Sequence, residues 1–167
     1  MKIMVSACLL GQKCKYNGGD NYSEKVAAFI AGHEVIPVCP ELSGGLPVPR
    51  TPCEIVNGVV TDADGNSRDQ EFRAGAAVCL RLAKEKGIDL AVLQPRSPSC
   101  GVDHIYDGTF SGKLINGSGL FASLLRESGF SVIDAEDLDR IVSGDLLHSG
   151  RTGTPGKTTA SFPEKTL

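Results

Sequence analysis

The sequence lacks several features that define large classes of protein. It has no tryptophan and only 5% aromatic residues, so an RNA-binding surface that stacks bases on aromatic side chains is not expected. Its net charge of -3 argues against bulk binding of nucleic acid, although a local basic patch for a single nucleotide or base is compatible with it. No stretch approaches the roughly 20 apolar residues that a membrane span needs.

The apolar run at the N-terminus is too short for a secretory signal. The segment MKIMVSACLL carries one lysine, and the run stops at Gly11, before the polar QKCKYNGGDN. We therefore expect a cytoplasmic protein without a membrane partner. Six cysteines in a cytoplasmic chain indicate metal or redox chemistry more than structural disulfides.

Short apolar runs alternate with helical patterns along the chain. Strands are predicted over residues 2–10, 33–39, 88–94 and 130–135, and helices over 23–32, 68–86 and 119–128. This alternation predicts an α/β fold: a single three-layer domain with a mainly parallel sheet, helices on both faces and a small β-hairpin at the Asn-Gly of EIVNGVVT. Ser67 and Gln70 fit a capping box for the longest helix. The domain is predicted over residues 1–148, and a flexible tail over 149–167.

Three cysteines, here called the strand-end cysteines, follow predicted strands. Cys8 ends the first strand, Cys39 ends the second, and Cys100 lies just beyond the third in the turn-like QPRSPSCG. Ligands of parallel sheets bind at the carboxyl ends of the strands, so these thiols are expected to converge on one edge. Cys8 and Cys39 are also compatible with small buried hydrophobic residues, whereas the polar surroundings of Cys100 favour a site.

A set of three thiols is compatible with several kinds of chemistry. A structural zinc site needs four ligands, often in C-x-x-C pairs, and the sequence has no such pair. Three cysteines can hold a 4Fe-4S cluster with one open iron, or a catalytic zinc. Alternatively, Cys100 acts alone as a nucleophile with His104 as its base. Cys79 lies on the apolar face of the long helix and is expected in the core, while Cys14 and Cys53 stay unassigned.

The segment IYDGTFSGKLINGSG, residues 105–119, is rich in glycine and hydroxyl groups. Its glycines and hydroxyls could shape a pocket wall or hold an anion through backbone N–H groups. It matches neither the P-loop nor the dinucleotide fingerprint, so tight turns leading into the helix at Gly119 are the favoured interpretation. Arg50, Arg96 and Lys113 are candidate cations for a pocket, although solvation at the surface is the default for each.

Four segments together resemble one bacterial family. They are VSACLLGQKCKYNGG, PVCPELSGGLPVPRTPCEI, RSPSCG and IYDGTFSGKLINGSGL, and they are similar to the thiouracil desulfidases, the TudS family, from about Lys2 to Val142. The resemblance implies a small α/β enzyme with an oxygen-sensitive 4Fe-4S cluster held by three cysteines. Such an enzyme takes the sulfur of a small thiolated base, such as 4-thiouracil, and converts C=S to C=O with release of hydrosulfide.

The resemblance also implies roles for particular residues. The cluster ligands fall on the strand-end cysteines, Cys8, Cys39 and Cys100. The catalytic acid/base carboxylate falls on Glu41, and the active hydroxyl on Ser97, with Ser99 as the competing choice. Ser99 and Gly101 are expected to contact the substrate. The rival interpretations are a metal-free sulfurtransferase or hydrolase that uses Cys100, and a non-enzymatic metal-binding module.

Overall fold

A computed structural model describes residues 1–142 of the chain. The predicted tail, 149–167, lies outside the described residues, and the predicted domain limits stay a prediction. The chain divides into a unit over Met1–Ala135 and a second over Glu136–Leu167. The first unit holds every strand that the structure describes. Among the described residues, no helix combines the length and the apolar character needed to cross a bilayer.

The elements of the described residues alternate between strand and helix. The strands are β1 (Lys2–Ser6), β2 (Glu34–Val38), β3 (Cys53–Val56), β4 (Val59–Asp62), β5 (Leu90–Leu93), β6 (His104–Tyr106), β7 (Leu114–Asn116) and β8 (Val132–Asp134). The helices are α1 (Glu24–Ile30), α2 (Pro40–Ser43), α3 (Asp69–Lys86), α4 (Leu120–Glu127) and α5 (Leu138–Val142), with 3-10 helices at Ala7–Leu10 and Ala135–Asp137.

Four of the strands form a parallel sheet in the order β2-β1-β5-β8. The edge position of β2 explains its Pro37, since an exposed proline without an N–H is tolerated at an edge. The predicted α/β class with a mainly parallel sheet is confirmed. The first strand is shorter than predicted, because the chain turns into a 3-10 helix after Ser6.

Apolar side chains cover both faces of this sheet. On one face, strand residues pack with α3 and α4 in a cluster that includes Met4, Ala91, Leu93, Ala76, Cys79, Ala83, Phe121 and Leu125. The alternating residues Ile3, Val5 and Val92 are fully buried on the opposite face. The core position predicted for Cys79 is therefore confirmed.

Two antiparallel pairs accompany the sheet. The predicted hairpin is confirmed as β3 and β4, joined by Asn57 and Gly58, both with positive φ as a type I′ turn requires. The second pair, β6 and β7, lies within the segment that was predicted to form only tight turns. The predicted capping box is wrong, because α3 begins one residue later than a box at Ser67 needs: Arg68 occupies the cap, and the Ser67 hydroxyl accepts a hydrogen bond from Asp69 N.

Candidate active site

A cavity of about 580 Å³ lies at the carboxyl edge of the parallel sheet. Its wall includes Ser6 and Val38, the last residues of β1 and β2, and Gln94, which follows β5. The volume falls within the roughly 300–1,000 Å³ that small-molecule sites occupy. All three strand-end cysteines line this cavity, together with Glu41 and Ser97.

The first two strand-end cysteines reach the cavity through short helices. Cys8 lies in the 3-10 helix that follows β1, and its sulfur is 3.5 Å from the side-chain nitrogen of Asn21, which donates to it. Cys39 occupies the N-cap of α2, directly after β2. Both thiols are half-buried, so each is held by protein on one side and faces the cavity on the other.

Two glycines fix α2, and hence Cys39 and Glu41, against α3. A Cβ atom on Gly75 would lie 1.8 Å from the carbonyl oxygen of Pro40, and one on Gly44 would lie 2.0 Å from that of Glu71. Only glycine permits this approach of the two backbones. The long helix therefore serves as the rigid support for the segment that carries the second thiol and the carboxylate.

The turn that carries Cys100 is held by the first residues of α4. Backbone N–H groups of this helix donate to the carbonyl oxygens of Pro98 and Ser99, at 2.8–3.0 Å. These N–H groups have no partner within their own helix, so the turn satisfies them. A Cβ on Gly119 would lie 2.6 Å from the Ser99 oxygen, which explains the glycine at the start of the helix. The turn is thus fixed by backbone contacts on its buried side.

Ser97, Ser99 and Glu41 form one hydrogen-bonded group. Ser99 Oγ donates to Glu41 Oε2 at 2.7 Å, and the two serine hydroxyls lie 3.2 Å apart. Ser97 Oγ accepts from the backbone N–H groups of Ser99 and Cys100, both at 3.0 Å. Glu41 Oε1 lies 3.6 Å from the sulfur of Cys39. The predicted carboxylate and hydroxyls are therefore brought together beside two of the thiols.

Ser99 and Gly101, which were predicted to contact the substrate, are not part of the cavity wall. Ser99 is fully buried and orients Glu41 from behind. A Cβ on Gly101 would lie 2.8 Å from the Ser97 carbonyl oxygen, so this residue permits a tight backbone approach. The structure separates the two candidate hydroxyls: Ser97 faces the cavity and Ser99 supports the carboxylate.

The thiols differ in how readily they ionise. Burial raises the pKa of Cys100, and the nearby Glu41 carboxylate raises it further. Burial likewise raises the pKa of Cys8. A hydrogen bond from Cys14 lowers the pKa of Cys39 and raises that of Cys14 itself. Buried thiols with a raised pKa are inert as free nucleophiles. Moreover, His104 is exposed and outside the cavity wall, so the metal-free mechanism lacks its predicted base there.

The donor set is compatible with the predicted cluster. The three strand-end cysteines line one cavity as free thiols. Thiolates are the usual ligands of iron–sulfur clusters, and a cluster offers a separate iron to each thiolate, so its ligands need not meet at one point. Within residues 1–142, no three Cys, His, Asp or Glu side chains are grouped closely enough to hold one metal ion.

Several wall residues were left undecided or missed by the sequence analysis. Cys14 and Cys53 both line the cavity as free thiols. Arg50 and Arg96 line it as well, whereas the third candidate cation, Lys113, does not. The Arg50 guanidinium donates to the carbonyl oxygens of Pro47 and Cys14 at 3.1 and 2.9 Å, which orders the loop behind the thiols. Asn21 was not singled out, since one asparagine in a polar loop gives no signal.

The fold and the cavity define a class of α/β proteins that collect thiols and a carboxylate at the carboxyl edge of a parallel sheet. A model of the 2-thiouracil desulfurase family matches residues 3–137, and the chain belongs to this family. The predicted family and the predicted enzyme class, a desulfidase, are confirmed.

Two individual proteins are similar to this chain over most of their own length. The protein YbbK of Bacillus subtilis (strain 168) is 41% identical over 150 residues, covering 84% of this chain and 99% of YbbK. A solved structure of the [4Fe-4S]-dependent thiouracil desulfidase TudS is 38% identical, with a TM-score of 0.79 over 87% of this chain and 98% of TudS. The fold described above is thus shared with a cluster-dependent enzyme.

Proposed function

We propose that this chain is an iron–sulfur-dependent desulfidase that converts the C=S of a thiolated nucleobase similar to 4-thiouracil to C=O and releases hydrosulfide. The observation that carries the proposal is one cavity lined by the three strand-end cysteines and by a carboxylate held in place from behind. Family membership and the TudS neighbour support the same chemistry. The partner is a small thiolated base. A cytoplasmic location and the lack of bulk nucleic-acid and membrane partners stay predictions.

The strand-end cysteines would hold a 4Fe-4S cluster. When bound, the cluster supplies a soft Lewis-acidic iron that suits the sulfur of the substrate. As ligands the three thiols would be deprotonated, so Cys8 and Cys100 would give up their protons on binding despite their raised pKa values. Cys39, with its lowered pKa, is the thiol closest to its ligand form before binding.

Glu41 is the acid/base group of this proposal. Its Oε2 accepts the hydrogen bond from Ser99, and its Oε1 accepts a weak hydrogen bond from the Cys39 thiol at 3.6 Å. Ionisation of Cys39 as a cluster ligand would remove the second of these and leave Oε1 to accept a proton from a water in the cavity. The activated water adds its oxygen to the ring carbon of a base bound as its ring-nitrogen anion, and the same carboxylate passes the first water proton to the ring nitrogen. The added hydroxyl becomes the C=O oxygen as its proton passes to the departing sulfur, so the C=S bond breaks and sulfur leaves as hydrosulfide.

Ser97 is the hydroxyl that touches the substrate. Ser99 donates its single hydroxyl proton to Glu41, and two backbone N–H groups already occupy the acceptor side of Ser97 Oγ. The Ser97 proton can therefore be donated either to Ser99 Oγ, 3.2 Å away, or to a group in the cavity. We assign it the polar edge of the base, where a hydrogen bond fixes the ring relative to Glu41.

The test measures iron, acid-labile sulfide and the turnover of 4-thiouracil for protein reconstituted without oxygen. We expect a filled cluster with hydrosulfide release in the wild type, and loss of iron in Cys8→Ala, Cys39→Ala and Cys100→Ala. Cys79→Ala is the matched control, because Cys79 is buried in the core and outside this cavity. Iron without turnover would support a binding module instead, and turnover without iron would support the thiol mechanism.

A further inference from the structure

Two strained residues lie in the wall of the cavity. Among residues 1–142, three residues other than glycine have a positive φ: Asn57, Arg96 and Phe110. Asn57 occupies the Asn-Gly turn of the first hairpin, where this conformation is expected. Arg96 and Phe110, with φ of 67° and 59°, both line the cavity. For a bulky side chain such as phenylalanine this conformation is an outlier, and such outliers cluster at functional sites.

The conformation of Phe110 is maintained by a carboxylate on the neighbouring hairpin. Glu54 Oε1 accepts hydrogen bonds from the backbone N–H groups of Gly108 and Phe110, both at 3.0 Å. A Cβ on Gly108 would lie 2.7 Å from the carbonyl oxygen of Ile55, so the loop between β6 and β7 lies directly against β3. Hydrogen bonds to an ionised acceptor are stronger than neutral ones. Glu54 therefore keeps the strained residue in place.

The Phe110 side chain is not used to build the core. It is 38% exposed although it lines the cavity, and it belongs neither to the core cluster around α3 and α4 nor to a second cluster formed by Leu46, Val60 and Phe72. A strained backbone that leaves a large aromatic ring in contact with solvent has no benefit for folding. A planar base in the cavity would cover this ring, and base–aromatic stacking is favourable for every base.

We infer that Phe110 is a specificity-determining residue whose ring forms a stacking platform for the planar base, and that Glu54 holds this platform in position. The identity of the ligand as a thiolated base rests on the proposed function. The inference adds a physical basis for selectivity within that function: the ring of Phe110 favours planar heteroaromatic thiocarbonyl compounds over small aliphatic thioamides such as thioacetamide, which offer no ring to stack.

The first test compares side chains at this position in the reconstituted protein. We expect Phe110→Leu, which keeps apolar bulk but removes the ring, to raise KM for 4-thiouracil and Kd for uracil about tenfold, with kcat nearly unchanged. Phe110→Tyr keeps the ring and should stay within about twofold of the wild type. Thioacetamide, if turned over, should respond equally little to both changes. Leu114→Ala is the control, since Leu114 is similarly exposed on the same hairpin but outside the cavity wall.

A second variant separates stacking from a structural role. Glycine adopts a positive φ without strain, so Phe110→Gly should keep or raise Tm while it weakens uracil binding as Phe110→Leu does. A purely structural phenylalanine would show the reverse, a lower Tm with unchanged binding, and that result overturns the inference. Equal uracil affinity in Phe110→Leu and the wild type also overturns it, as does a wild type that binds no planar base. A wild type that binds uracil through Phe110 but fails to turn over 4-thiouracil contradicts the proposed function and still supports the stacking role of Phe110.

Discussion

At the scale of single residues, the cavity pairs groups that are distant in sequence. Ser99 and Glu41 are 58 positions apart, yet their side chains form the 2.7 Å hydrogen bond that orients the carboxylate. The segment SPSC offers two serines, and the family resemblance prefers Ser97 with Ser99 as the competing choice, whereas no spacing pattern in the chain distinguishes them. The fold places Ser97 in the cavity wall and buries Ser99 behind the carboxylate.

Glu41→Gln tests the acid/base role. Glutamine keeps the size of the side chain and an acceptor for Ser99, but it cannot take a proton from water. We expect kcat to fall roughly a hundredfold to ten-thousandfold, as for loss of a general acid/base, while iron content and visible absorption persist. Glu85→Gln, an exposed change on α3, is the control and should leave turnover unchanged. Unchanged turnover in Glu41→Gln would remove this carboxylate from the mechanism.

At the scale of elements, the contact between α2 and α3 is the support of the site. Gly75→Ala places a Cβ against the Pro40 carbonyl, 1.8 Å away before any adjustment, so α2 must move. We expect a loss of roughly 1–3 kcal/mol in the free energy of unfolding, as for overpacked cores, together with reduced iron content because Cys39 moves with α2. Denaturant unfolding and iron analysis measure the two effects.

Gly19→Ala is the matched control for this change. Its Cβ would meet only the tip of the Asn17 side chain, at 3.1 Å in an exposed loop, and that side chain can turn away. We expect nearly wild-type stability and full iron loading. Equal losses in the two variants would mean that the α2–α3 contact has no special importance for the site.

The first hairpin carries an acid-sensitive element. The buried Asp62 carboxylate accepts hydrogen bonds from the backbone N–H groups of Asn66 and Asp64 and from the Arg68 guanidinium, at 2.9, 3.0 and 3.1 Å. These hydrogen bonds hold the pKa of Asp62 below its ordinary value of 3.8, and the one from Asn66 N–H has the largest effect. A carboxylate whose pKa is lowered in the folded state stabilises the fold at pH values above its pKa in the unfolded chain. This stabilisation is lost as the pH falls through the pKa of the folded state.

Asp62→Asn should therefore be less stable than the wild type at neutral pH and should lose less stability on acidification below about pH 4. Urea unfolding from pH 7 down to pH 3 measures both profiles. Asp64→Asn, on the exposed neighbour, should follow the wild type. Parallel profiles for Asp62→Asn and the wild type would show that this carboxylate does not contribute to the acid response.

The predictability of each element follows from the strength of its local signal. The hairpin at Asn57 and Gly58 carries a turn chemistry that specifies its type, and Gly87 ends α3 with φ of +63° as a C-terminal glycine should. β6 and β7 have three residues each, too few for an alternating pattern to emerge. The loop between them lies against β3, with Gly108 next to the Ile55 carbonyl, and no local pattern encodes this contact between distant segments.

At the scale of the whole molecule, strand order explains why three thiols line one cavity. The sequence predicted a parallel sheet and hence a shared carboxyl edge, but not which strands are neighbours. In the observed order, β1 lies between β2 and β5, with Ser6 opposite Val38 and Val5 opposite Val92. The three strands that precede the cysteines are therefore adjacent. Long-range pairing of this kind is set by the global packing, which sequence spacing alone does not determine.

Because the proposed ligands follow three adjacent strands, cluster binding should stabilise the entire sheet. A group that binds only the folded state raises its stability by mass action, and the unfolded chain cannot hold three thiols in this arrangement. We expect the reconstituted protein to have a higher Tm than the iron-free protein under the same anaerobic conditions, and exposure to oxygen to abolish the difference. Cys79→Ala should keep this shift even if its baseline Tm is lower, whereas Cys39→Ala should show no shift. Identical Tm values for loaded and iron-free wild type would mean that cluster binding does not depend on the folded sheet. That result would contradict a site assembled from three strand ends.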